Sequence, residues 1–124
     1  MRLMRTALGV NALFSAATGT LAATEAPDLS SRLGVEAWML VVLGIGLIGF
    51  AVAVALIAAS GNPRRARAVV GADIAWVVVA LPVAAAGPGS LTAAGQGVLA
   101  VVTVAVAGLA AAQWAGARRV ESPR

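Results

Sequence analysis

Residues 69–82 read VVGADIAWVVVALP, an apolar run holding one carboxylate, Asp73. With Ala68 and the alanines that follow, it extends over 68–86, too long for a strand and without period-two alternation. A helix is the remaining solution, because a segment this apolar must satisfy its own backbone groups internally. How the chain can hold an acid there depends on what surrounds the run.

The whole chain resembles that run. Of 124 residues, 60% are hydrophobic and 11% charged, and the mean hydropathy is +0.94. Soluble domains are roughly a quarter charged. This chain has too little polar surface to face water all round, so it reads as an integral membrane protein with the lipid bilayer as its first partner. The length suits one domain, 1–124.

A bilayer core of about 30 Å needs roughly 20 apolar helical residues. Four stretches meet that need, over 6–24, 38–60, 68–86 and 96–115. The connections are EAPDLSSRLGVE (25–36), GNPRRAR (61–67) and GPGSLTAAG (87–95). Each reads as a short loop, and in GNPRRAR Gly and Pro act as stop signals. Pro82 lies near the end of its span, where it bends or ends a helix without preventing one. Short loops favour antiparallel neighbours. The expected fold is all-α, an up-down four-helix bundle in the membrane.

All nine basic residues are arginine. Arg2 and Arg5 precede the first span, Arg64, Arg65 and Arg67 separate the second and third, and Arg118, Arg119 and Arg124 follow the fourth. Only Arg32 lies on the other side, among Glu25, Asp28 and Glu36. Eight against one is a strong positive-inside bias. It places both termini in the cytoplasm and the chain, multi-pass, in the cytoplasmic membrane. Trp38 then marks the outer interface, and Trp114 sits near the inner end of the last span. The high pI reflects these topology markers, and no nucleic-acid partner follows from it. RRAR (64–67) can also touch anionic headgroups. The N-terminal segment through Pro27 has features of a signal peptide. Its apolar stretch is long for one, and the uncleaved reading is preferred.

Counting inward from the arginines gives the main constellation. Asp73 lies six residues beyond Arg67, Asn11 six beyond Arg5, and Gln113 five before Arg118. At 1.5 Å per residue all three lie roughly 8–9 Å inside their flanking charges. An Asp at mid-helix costs about 2.5–3.5 kcal/mol on insertion scales, and Val, Ile and Leu return about 0.3–0.6 each. The third span holds eight such residues, so it inserts with little margin. Asp73 is therefore expected to face the bundle, with the Asn11 and Gln113 amides donating to it and Arg5, Arg67 or Arg118 within reach. Exposure of Asp73 at the inner surface is the competing placement. Ser15 continues the Asn11 stripe, Gly19 extends it, and Gly108, Ala112 and Gly116 form a second small-residue face. In the second span, Gly49 with Ala53 and Ala55 with Ala59 repeat the spacing. These are helix-packing signatures.

Several activities are excluded by residue type. Cys, His, Tyr and Lys are absent. Disulfides, thiol and imidazole chemistry and the usual soft metal ligands go with them. No catalytic residue, metal site or cofactor is expected, and the chain reads as a non-enzyme. GIGLIG (44–49) matches a dinucleotide fingerprint but lies inside an apolar span, with no acid at the required distance. Its glycines suit helix packing or a slight bend. Asn11 with Phe14 and Asp73 with Trp76 share a polar-then-aromatic spacing, thin support for a duplicated hairpin. Trp76 is read as packing more than as a cation–π site.

LGVNALFSAATG (8–19), ADIAWVVVALP (72–82) and AAQWAGARR (111–119) together resemble a broad set of small, uncharacterised four-helix integral membrane proteins of actinobacterial type. The resemblance covers most of the chain. It implies a bacterial inner-membrane architecture and no particular chemistry. Small multidrug resistance proteins are similar in size alone. They rely on a glutamate in the first helix, where this chain has Asn11. Two functions stay open. One is a structural or accessory role, as a homo-oligomer or beside a membrane-protein partner, with Asp73, Asn11, Gln113 and Ser15 as a clamp. The other is a small proton-coupled transporter using Asp73.

Overall fold

The computed structural model describes residues 2–87, 89 and 91–121. All regular structure among them is helical: α1 (Arg2–Thr24), α2 (Ala26–Leu33), α3 (Ala37–Ser60), α4 (Pro63–Ala86) and α5 (Ala93–Glu121). Four of these, α1, α3, α4 and α5, are long and apolar enough to cross a membrane. Arg124 lies outside the described residues.

The connection over 25–36 is not the expected short loop but contains the short helix α2. The local causes are readable. Pro27 sits in the first turn, where a missing N–H costs nothing. Asp28 stands near the N-terminus and Arg32 near the C-terminus, and Arg32 Nε meets Asp28 Oδ2 at 3.1 Å one turn apart. The pair is exposed, so its contribution is only about 0.3–0.5 kcal/mol. Gly34, with φ 75°, closes the helix through its N–H to the Ser30 carbonyl.

α4 starts earlier than expected, which makes the RRAR segment helical. Gly61 adopts φ 65° and ends α3, and Asn62 Oδ1 then accepts from Arg64 N at 2.9 Å. Pro63 follows at the first helical position. The stop and start signals thus occupy three consecutive residues. α4 continues through Pro82 to Ala86. α5 is capped by Thr92, whose Oγ1 accepts from Gly95 N at 3.0 Å. Thr92 also donates its N–H to the Leu33 carbonyl and its hydroxyl to the Arg32 carbonyl. These bonds tie the start of α5 to the end of α2.

α1 is central. It packs mainly on α3 and on α5, and α5 packs on α4, so the long helices follow the order α3, α1, α5, α4. α3 and α4 touch little despite their short connection. The expectation that this connection makes a packed pair is therefore corrected: a short corner fixes two helix ends and leaves their lengths free to splay. The start of α1, the end of α3, the start of α4 and the end of α5 meet in one core of Met4, Leu8, Val54, Ala66, Val69 and Ala117.

Close approach explains the α1 contacts. A Cβ built on Gly19 would lie 2.7 Å from the Gly44 carbonyl oxygen, and one on Gly44 2.5 Å from that of Gly19. A Cβ on Gly116 would lie 2.5 Å from Met4 N. Ala112 is half-buried. Gly49 and Gly108 differ from their assigned packing role: both are exposed, and an added Cβ there meets nothing within 4 Å. Gly46 is likewise open. The outer surface is apolar, with Leu13, Val101 and Val104 at least 70% exposed. Such faces suit lipid and not water.

Candidate functional site: a polar cluster beside an apolar cavity

α1, α4 and α5 each contribute one amide or acid at a common depth. Asn11 Nδ2 donates to Asp73 Oδ2 at 3.1 Å and to Gln113 Oε1 at 2.8 Å. Gln113 Nε2 donates to the same Asp73 Oδ2 at 2.7 Å. Ser15 Oγ donates to Asn11 Oδ1 at 3.2 Å, extending the network by one turn of α1. All four residues are buried, Gln113 completely. The three helices thus close a triangle of hydrogen bonds around one carboxylate oxygen.

The amides suit this task because each carries both donors and an acceptor. Asn11 can serve Asp73 and Gln113 at once while accepting from Ser15. Asp73 accepts at Oδ2 only. Oδ1 receives no hydrogen bond among the described residues. Trp76 Nε1 is the one buried side-chain polar atom without a partner there, so Oδ1 keeps some exposure.

No arginine forms an ion pair with Asp73 among the described residues. Arg67 instead lies over the Trp114 ring, 5.1 Å from its centroid. Arg2, Arg5, Arg64, Arg65, Arg67, Arg118 and Arg119 are all exposed, at the helix ends that meet in the Met4 core. At the opposite end Trp38 is exposed, and its Nε1 donates to Glu36 Oε2. Burial of Asp73 sets aside its placement at the inner surface.

Beside the cluster lies a cavity of about 710 Å³, partly open to the outside. Asn11, Ser15 and Asp73 border it, and the rest of its wall is mostly apolar. It occupies the space between α3 and α4 left by their poor contact, with α1 and α5 behind it and α2 at one end. Phe14, Phe50 and Trp76 line it, three of the five aromatic residues in the chain. Sequence reasoning found the cluster but not the cavity. The aromatic spacing shared by Asn11–Phe14 and Asp73–Trp76 was the available signal: both pairs face this space. No group of three or more His, Cys, Asp or Glu that could hold a metal ion occurs among the described residues. No family model, curated protein or solved structure matches the chain.

Proposed function

We propose that the chain is a small multi-pass protein of a bacterial inner membrane, an up-down bundle of four spans with both termini cytoplasmic. Its role in this reading is structural or accessory, as a homo-oligomer or beside a membrane-protein partner. The polar cluster is the clamp that fixes its helices. The observation that carries the reading is the bonding of Asn11 and Gln113 to one oxygen of Asp73. It joins α1 and α4, which otherwise have little contact. Outside the bilayer water would compete for these groups; inside it they need each other. The grouping of exposed arginines at one end supports the orientation. Comparing the stability of Asp73→Asn and Asp73→Leu in lipid nanodiscs tests it. A clamp tolerates the amide and not the alkyl chain, whereas equal stability of the two variants contradicts it.

The cavity favours a second reading, a small proton-coupled transporter in which Asp73 takes up and releases a proton. Asp73 borders space large enough for a solute and keeps one oxygen without a donor among the described residues.

A further inference from the structure

We propose that the cavity between α3 and α4 is a binding site for a protonated lipophilic amine, held by Asp73 and taken up from the bilayer. The inference rests on the transporter reading of this site and names the class of solute it would accept.

Three observations point the same way. The first is charge. Asp73 is buried, and no arginine pairs with it among the described residues. A carboxylate inside a membrane protein needs a counter-charge or dense hydrogen bonding. Asn11 and Gln113 supply two donors, both to Oδ2. An ionised carboxylate has about four acceptor positions. Oδ1 is unbonded among the described residues and retains exposure, so an ammonium N–H can reach it without breaking the cluster.

The second is shape and composition. Apart from the cluster, the walls are mostly apolar, as at Leu40, Leu47 and Val102, and the volume of about 710 Å³ falls in the range of small-molecule sites. An apolar body fits there, whereas a hydrated metal ion or a sugar would lose water with few polar groups to replace it.

The third is the aromatic placement. Trp76 stands three residues after Asp73 on the same helix and lines the same space. Its Nε1 has no hydrogen-bond partner among the described residues, so none of them anchors the ring. Aromatic faces attract ammonium groups, and Phe14 of α1 and Phe50 of α3 line the same cavity. An acyl chain would satisfy the walls but leave Oδ1 unmet. A helix from a second copy would bring no cation from within its apolar spans. A lipophilic amine satisfies both features and also supplies the counter-charge that a neutral donor such as an alcohol lacks. The poor contact of α3 with α4 provides a lateral route from lipid.

The test uses the whole chain carrying Trp38→Phe and Trp114→Phe in phosphatidylcholine nanodiscs with a tryptophan-free scaffold protein, leaving Trp76 as the sole tryptophan. 4-Bromobenzylamine, 4-bromobenzyl alcohol and 4-bromobenzoate, whose bromine lies one ring away from the polar group, are titrated as short-range quenchers. The amine is expected to quench saturably, and the alcohol and the acid only in proportion to their partitioning into lipid. Asp73→Asn is expected to weaken saturable quenching by about thirtyfold or more, because it removes one partner of a buried charge pair. Gly46→Phe, at an open cavity-lining position away from the cluster, is expected to abolish it with thermal stability unchanged.

Equal quenching by amine and alcohol, or an amine affinity unmoved by Asp73→Asn in folded protein, overturns the proposal and leaves a lipid-filled groove. Failure of the chain to insert overturns the proposal together with the membrane reading, and helicity with nanodisc co-elution detects that case. Saturable amine binding without proton release removes the transporter reading and keeps the site.

Discussion

Asn11 Nδ2 lies 3.1 Å from Asp73 Oδ2, joining α1 to α4, two helices with little other contact. The bond acts where packing is thin. Elsewhere α1 is held by close backbone approach, at Gly19 against Gly44 and at Gly116 against Met4. The fold thus uses two devices: small residues where backbones approach closely, and a polar cluster that also links α1 to α4, which stand apart.

Asp73→Asn should change unfolding stability by less than about 1 kcal/mol, because an amide oxygen still accepts from Asn11 and Gln113. Asp73→Leu should cost about 1–3 kcal/mol by leaving those buried donors unmet. Unfolding in mixed micelles measures both. A Leu variant as stable as wild type counts against the clamp.

Gly19→Ala should destabilise the protein by about 1–3 kcal/mol, since the new methyl group meets the Gly44 backbone and helix α3 has to move. Gly49→Ala and Gly108→Ala meet open space and should stay within about 0.5 kcal/mol of wild type. The same unfolding assay separates the sets, and equal effects would mean that the α1–α3 contact is misplaced.

Thr92→Val keeps the side-chain shape and removes both hydroxyl bonds, the cap on Gly95 and the tie to Arg32. The cap alone is worth about 1 kcal/mol. Faster amide exchange in α2 and at the start of α5 is the expected readout, with the Met4 core unaffected. Uniform loosening of all helices would contradict a local role.

The chain has no cysteine, so single cysteines report topology cleanly. Ser31→Cys, in α2, should react with an impermeant maleimide added to intact spheroplasts. Ser60→Cys, at the arginine-rich end, should react only after lysis. Both positions are exposed. The reverse pattern would invert the orientation, and labelling of both from one side would rule out an odd number of crossings between them.

The depth of the cluster was legible because a helix rises a fixed distance per residue and the arginines mark a common starting plane. Asn11, Asp73 and Gln113 could be aligned from that alone. α2 was obscured by Ser, Pro and Gly, although the Asp28–Arg32 spacing and Gly34 were visible. Gly44 and Gly49 show what a motif hides. Five residues apart, they are turned about 140° from each other on a helix, so both cannot face α1. The gap between α3 and α4 was not legible, since a short corner constrains helix ends only. The cavity is a consequence of that gap and of no single residue. Its acid and its aromatics were in view, but the space joining them was not.

In the proposed reading Asn11 and Asp73 hold α1 and α4 together inside a bilayer. A double-mutant cycle with Asn11→Ala and Asp73→Ala, unfolded in lipid, measures that coupling most directly. Hydrogen bonds between membrane helices contribute about 0.5–1.7 kcal/mol, and a coupling in that range, favouring the wild-type pair, is predicted. Additive losses from the two substitutions would contradict the account.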